Sequence, residues 1–149
     1  MISGVHHAGF TVSDMDRSIA FYRDVLGLRV IYDSGQDGIR IKGPVTDNLT
    51  GCPGTEVRIA AIAAGEGVIE LLQYTPAGKP RRDNMTSDIG NGHIGIRTDD
   101  IQELYHKLLA NGTRLHCEPQ DVGSGWAMYF RDPDGIVLEA IEGKLRFDK

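Results

Sequence analysis

The sequence has few cysteines, no long apolar run and no excess of basic residues. Cys52 and Cys117 are its two cysteines, and they lack the close CxxC spacing of a zinc site. No apolar segment approaches the roughly 18 residues that span a bilayer. The start, MISGVHHAGF, has neither the charged nor the apolar region of a signal peptide. We therefore expect a cytoplasmic protein with free thiols, whose metal, if any, is held by nitrogen and oxygen.

Charge and composition narrow the class further. The net charge of −5 makes binding to nucleic acid a poor explanation of function. With 40% hydrophobic and 25% charged residues, the composition is that of an ordinary globular protein. The 149 residues suit one domain, or two very small modules that share a core, and we expect a single domain over 1–149.

The sequence contains an internal repeat. Residues 5–15, VHHAGFTVSDM, align with 91–101, NGHIGIRTDDI, when His7 is placed on His93, an offset of 86 residues (7 to 93). Both segments alternate small or polar residues with apolar ones, which indicates a half-buried strand. An amphipathic helix should follow each strand, capped at Ser13 in the first half and at Asp99 in the second. Two further apolar segments in each half read as strands on either side of a turn.

The repeat predicts an α+β fold of two tandem β-α-β-β-β modules with the helices outside the sheet. Module 1 covers about 4–74 and module 2 about 91–142, joined by a polar linker over 75–90. Each module should also have a short early strand, about 28–33 and about 114–118. Residues 34–55, rich in Gly, Asp and Pro, are predicted to form a long loop.

Each half places one His early in its first strand and one Glu in its last strand. The glutamates lie in the apolar segments VIELL and IVLEAI, where a carboxylate is costly to bury without a partner. Either His alone is typical of an ordinary hydrogen-bonded residue, and either Glu alone is typical of a solvent-facing one. Their recurrence in both halves favours one shared divalent metal, held by His7, Glu70, His93 and Glu139. This ligand set suits Zn, Ni, Co, Mn or Fe.

These segments resemble the vicinal oxygen chelate superfamily, which includes glyoxalase I, methylmalonyl-CoA epimerase, extradiol dioxygenases and bleomycin-resistance proteins. The similar stretches are VHHAGFTVSDMDRSIAFYRDVLGL, VIELLQY, NGHIGIRTDDI and FRDPDGIVLEAIE. The resemblance implies an open, cup-shaped mixed sheet around a metal, usually within a homodimer. It assigns the ligands to the same four residues, and it selects His7 over His6, which should face the other way.

The resemblance implies a metal-dependent isomerase or lyase that removes a proton next to a carbonyl group. The metal would stabilise the resulting enediolate or enolate, and Glu70 or Glu139 would be the base. Glu56, on the neighbouring strand, is an alternative base.

The substrate is less defined than the reaction type. Glyoxalase I enzymes of this size usually carry Arg and Asn at the positions of Thr11 and Tyr74, and those residues bind glutathione. Their replacement argues against glutathione, and the segment IELLQYTPAGKP is more similar to the epimerase. Arg97 could bind a carboxylate or phosphate, or form a structural ion pair. Lys79, Arg81 and Arg82 could meet a phosphate-bearing tail, or lie in a solvated linker.

Two other functions fit the same resemblance. One is an Fe(II) extradiol-type dioxygenase, although Glu70 would occupy a position that such an enzyme leaves free. The other is a resistance protein that binds an antibiotic, although those members lack the metal ligands. In every case the expected partners are a small molecule with vicinal oxygens and a second copy of the chain.

Overall fold

The computed structural model describes residues 1–80 and 83–145. The chain forms two compact units, Met1–Pro80 and Arg81–Lys149. Each unit combines at least one helix with an open sheet of mixed strand direction, so the predicted α+β class is confirmed. No helix in these two ranges is long and apolar enough to cross a membrane.

The first unit contains two helices and five strands. Their order is β1 Ala8–Thr11, α1 Met15–Ala20, β2 Arg29–Asp33, β3 Ile41–Lys42, α2 Pro44–Thr50, β4 Glu56–Ala64 and β5 Gly67–Thr75. The strands lie in the order β1-β5-β4-β2, with β3 also paired to β4. The β1–β5 pair is parallel, whereas the β2–β4 and β4–β5 pairs are antiparallel.

Alternation along β4 and β5 separates an apolar face from a polar one. Ala60, Ile62, Ile69 and Leu71 are fully buried, whereas Glu70 and its neighbours on the opposite face are partly exposed. Met15 and Ile19 of α1 are also buried, and α1 contacts both β4 and β5. The helix therefore covers the apolar face and leaves the Glu70 face open.

The first helix differs from its prediction at the N-terminal cap. Its cap is Asp14, whose Oδ1 accepts a hydrogen bond from the Arg17 N–H at 3.1 Å, and Ser13 is not the cap. After Ala20 the chain continues as a π-helical turn over Phe21–Val25. Phe21 and Tyr22 are buried in that turn, so the apolar stripe continues with altered hydrogen bonding.

The second unit repeats the order of the first with fewer elements. It contains β6 His93–Arg97, α3 Ile101–Ala110, β7 Gln120–Asp121, β8 Gly125–Arg131 and β9 Val137–Gly143. The strands lie in the order β6-β9-β8-β7, with β6 parallel to β9 and the others antiparallel. Asp100 caps α3 by accepting from the Glu103 N–H at 2.8 Å, so the predicted cap Asp99 is off by one residue.

Two predictions about irregular segments need correction. The predicted loop 34–55 contains the short strand β3 and helix α2, which begins at Pro44, ends at Thr50 and is capped by Gly51 in the left-handed conformation. The predicted strand 114–118 forms only an isolated bridge, Leu115 to Phe130. Within that stretch, the His116 N–H still donates to the Tyr129 carbonyl at 2.9 Å, so the segment follows β8 without forming a regular ladder.

Candidate metal centre

The first unit brings His7 and Glu70 together. His7 stands just before β1, and Glu70 lies in β5, which pairs with β1 in parallel so that Gly9 is the partner of Glu70. His7 Nε2 is 3.3 Å from Glu70 Oε2. The two side chains are 40% and 26% exposed, so both remain accessible to a ligand from solution.

The second unit repeats this arrangement with His93 and Glu139. Here β6 pairs with β9 in parallel, and Gly95 is the partner of Glu139. His93 Nε2 is 3.2 Å from Glu139 Oε2, and the side chains are 44% and 15% exposed. The sequence repeat is therefore also a repeat in three dimensions, down to which ring nitrogen faces the carboxylate.

A glycine lies beside each pair, two residues after the histidine. A methyl group on Gly9 would lie 3.5 Å from Glu70 Oε2 and 3.9 Å from His7 Cδ2. A methyl group on Gly95 would lie 3.7 Å from Glu139 Oε2 and 3.0 Å from Ile141 Cδ1. A methyl group would thus meet each carboxylate at an ordinary van der Waals distance and occupy space beside it, so glycine keeps that space open.

Both pairs fit the requirements of a divalent metal. Metal bonds of about 2.0–2.2 Å at angles between about 90° and 110° place two ligand atoms roughly 2.8–3.6 Å apart. The two Nε2–Oε2 distances, 3.3 and 3.2 Å, lie within that range. Imidazole and carboxylate are also the ligands that borderline divalent ions accept.

Each pair by itself supplies only two ligands. Across residues 1–80 and 83–145, no three His, Cys, Asp or Glu side chains form a group able to hold a metal ion. A site with all four ligands therefore stays a prediction, whereas the two His–Glu pairs are features of the structure.

Thr11 and Tyr74 share the face of Glu70. Thr11 pairs with Leu72, two residues beyond Glu70, and Tyr74 follows on the same side of β5. Burial raises the pKa of the Tyr74 phenol, and the nearby Cys52 and Glu70 add to the effect. Both predicted substrate residues thus lie on the face that carries the first pair.

Arg97 shares the face of His93 and Glu139, because it pairs with Ile141, two residues beyond Glu139. Its Nη1 donates to the Gly143 carbonyl at 2.9 Å, which gives the guanidinium a structural partner. Lys79 is exposed, and Arg81 and Arg82 lie outside the described residues.

The structure does not support Glu56 as a base. Glu56 pairs with Thr75, an odd number of residues from Glu70 along β5, so the two glutamates face opposite sides of the sheet. Arg40 Nη2 is 2.6 Å and Lys42 Nζ is 3.8 Å from Glu56 Oε2. The Arg40 hydrogen bond lowers the pKa of Glu56, which makes it a weaker base.

Tyr129 was not among the predicted site residues. Its hydroxyl is 3.2 Å from His93 Nε2, and burial together with the charge of Glu139 raises the pKa of the phenol. The sequence signal for this contact is the turn at Asp132–Gly135, because a tight hairpin there pairs Tyr129 directly with Glu139.

The His116 ring stacks on the ring of Tyr129. The two rings stack at 19° with centroids 6.1 Å apart, and His116 Nε2 accepts a hydrogen bond from Arg131 Nε at 3.1 Å. Burial, with help from Arg131 and Arg114, lowers the pKa of His116 and favours its neutral form. A prediction of a plain strand at 114–118 gave no indication of this contact.

Two open sheets of matching topology, each carrying one His–Glu pair, define a tandem β-α-β-β-β class of protein. Residues 4–140 match the model of the Glyoxalase/Bleomycin resistance protein/Dioxygenase superfamily. The chain belongs to this superfamily, as the resemblance implied.

Two similar proteins carry different names. A lactoylglutathione lyase from Haemophilus influenzae is 31% identical, over 93% of this chain and 91% of its own. A 2-epi-5-epi-valiolone epimerase from Actinomyces sp. is 30% identical, over 92% of this chain and 78% of its own. Both names describe enzymes.

Solved structures of low identity share the fold. A glyoxalase family protein from Bacillus cereus superposes with a TM-score of 0.83 at 23% identity, covering 96% of this chain and 95% of its own. A fosfomycin resistance protein from Listeria monocytogenes, solved with Mn(II), has a TM-score of 0.67 at 19% identity and covers 97% and 95%.

Proposed function

We propose that the chain is a metal-dependent isomerase or lyase that removes a proton next to a carbonyl group. The observation that carries this proposal is the His–Glu pair, which recurs in both units with Nε2–Oε2 distances of 3.3 and 3.2 Å. The lyase and epimerase names of the relatives near 30% identity support the reaction class.

His7 and His93 would bind the metal through Nε2, and Glu70 and Glu139 would complete the ligand set. A divalent metal, when bound, supplies Lewis-acid stabilisation for the negative charge that develops on the substrate oxygen. Glu70 or Glu139 would accept the proton from carbon, since each carboxylate is adjacent to its histidine and open to solvent. Thr11, Tyr74 and Arg97 would line the substrate side.

The two groups of relatives favour different substrates. The lyases favour a glutathione adduct, whereas Thr11 and Tyr74 replace the Arg and Asn by which similar enzymes bind glutathione. We therefore expect low turnover of the glutathione hemithioacetal of methylglyoxal and favour the epimerase branch. Homodimerisation and a cytoplasmic location remain expectations from the sequence.

Metal loading and solvent-deuterium exchange test this function. The protein, incubated in turn with Mn, Ni, Co, Zn and Fe(II), should bind at least one of them stoichiometrically. The loaded protein should then exchange deuterium into a substrate carbon next to a carbonyl, with the hemithioacetal, 2-epi-5-epi-valiolone and an acyl-CoA thioester as the panel.

Glu139→Gln should lose both metal and exchange, while His106→Asn on the surface of α3 should retain both. Protein that stays metal-free with every ion would overturn the proposal. Rapid turnover of the hemithioacetal would overturn only the argument from Thr11 and Tyr74. Oxygen uptake with Fe(II), without deuterium exchange, would point to the dioxygenase instead.

A further inference from the structure

His6, which was expected to face away from the metal ligands, touches His7. The two Nδ1 atoms are 2.8 Å apart, and the rings meet edge to face at 86° with centroids 5.1 Å apart. Neighbouring residues in a regular strand point to opposite faces. Both histidines precede β1, which begins at Ala8, so the chain there is free of the ladder and the rings can meet.

A contact between two ring nitrogens fixes the position of one proton. A neutral imidazole carries a proton on one nitrogen only, so in this contact one Nδ1 donates and the other accepts. His7 turns Nε2 toward Glu70, which is the nitrogen available for a metal. If His7 Nε2 binds a metal, its proton must be on Nδ1, and His7 Nδ1 becomes the donor to His6 Nδ1.

We propose that His6 is a positioning residue whose Nδ1 accepts the His7 Nδ1 proton and so holds His7 in its metal-binding tautomer. The inference rests on the proposed metal site and names a residue outside the four ligands. Such partners of metal-binding histidines are usually carboxylates, backbone carbonyls or water, and their loss typically weakens metal binding about 10–100-fold.

The second half of the chain provides an internal comparison. At the repeat offset, Gly92 occupies the position of His6, so His93 has no side chain there to accept from its Nδ1. The contact near His93 is at Nε2, with the Tyr129 hydroxyl. The two ligand histidines are therefore supported differently, and the effect of His6 should be confined to His7.

Zn²⁺ affinity, measured by competition with a chromophoric chelator, tests the inference. His6→Phe keeps an aromatic ring and removes the acceptor, and it should weaken Zn²⁺ binding about 10–100-fold. His6→Asn places an amide oxygen near the lost Nδ1 and should restore most of the affinity. His106→Phe, on the exposed face of α3, is the matched control and should bind Zn²⁺ normally.

The outcomes separate this inference from the proposed site. Normal affinity in His6→Phe, with binding lost in His7→Ala, would overturn the role of His6 and leave the metal site intact. Equal weakening in His6→Phe and His6→Asn would also overturn it, because the acceptor would then be irrelevant. Normal affinity in His7→Ala would overturn the site and the inference together.

Nitrogen-15 NMR of the Zn²⁺-loaded protein gives a second readout that does not depend on activity. We expect the proton of His7 on Nδ1 and that of His6 on Nε2. A proton on His6 Nδ1 in the loaded protein would contradict the proposed hydrogen bond.

Discussion

Asp33 is a residue whose buried charge stabilises the first unit. Its carboxylate is 1% exposed and is paired with Arg58 by two hydrogen bonds, of 3.0 and 2.8 Å. The Gly35 N–H also donates to it at 2.9 Å. Asp33→Asn should lower the free energy of unfolding by about 1–3 kcal/mol, because hydrogen bonds to a charged group are lost. Urea denaturation at pH 7 measures this change.

The same carboxylate should make stability depend on pH. The Arg58 hydrogen bond lowers the pKa of Asp33 in the folded protein. The stabilisation by this carboxylate is therefore complete above the pKa of Asp in the unfolded chain, about 3.9. The stabilisation is lost as the pH falls through the lower pKa that Asp33 has in the folded protein. The free energies of unfolding of wild type and Asp33→Asn should therefore converge in strong acid. Asp16 also meets Arg58 but is 82% exposed, so Asp16→Asn is the control and should change little. A difference in unfolding free energy between wild type and Asp33→Asn that stays constant down to strong acid would contradict this assignment.

Glu56 and Glu70 offer a direct test of which carboxylates do chemistry. Glu56 faces away from Glu70 and is paired with Arg40 and Lys42. Glu56→Gln should therefore keep its metal content and deuterium exchange, whereas Glu70→Gln should lose both. Metal analysis and exchange measured on both variants check this. Loss of exchange in a metal-loaded Glu56→Gln protein would restore Glu56 as a candidate base.

At the scale of elements, the helix caps are the sharpest repeat outside the His–Glu pairs. Asp14 and Asp100 are related by the same offset as His7 and His93, and each accepts from the N–H three residues later. Asp100→Ala should cost about 1 kcal/mol by leaving that N–H without its acceptor. Asp99→Ala is the matched control and should cost less stability. Thermal unfolding of both variants measures the difference. Equal costs for the two would mean that the cap is not Asp100.

Regular elements were predictable wherever one face of a strand or helix is buried. The alternation in β5 and β9 and the stripe in α3 follow from burial on one side, so the pattern appears in the sequence. The segments 34–55 and 114–118 were mispredicted because other forces decide them. Every residue of α2 is at least partly exposed, and His116 is held by Tyr129 and Arg131 rather than by a ladder.

The two His–Glu pairs were predictable to the same degree. Strand pairing brings each glutamate beside the glycine two residues after its histidine, so the pairs could be inferred from the repeat and the alternation together. The contact of His6 with His7 could not be inferred from the sequence, because it depends on the chain being irregular before Ala8.

At the scale of the whole molecule, the number of metal ions per chain distinguishes one shared site from two separate ones. Each His–Glu pair supplies two ligands, which is fewer than the three protein ligands that hold a typical catalytic metal. We therefore expect one divalent ion per chain, contributed to by both pairs, whether within one chain or across a dimer. His7→Ala should then lose the ion although His93 and Glu139 are untouched, and His93→Ala should lose it although His7 and Glu70 are untouched. Elemental analysis of the purified variants measures this, with His106→Ala as the control. Two ions per chain, or half occupancy in either single variant, would mean that each pair binds metal independently.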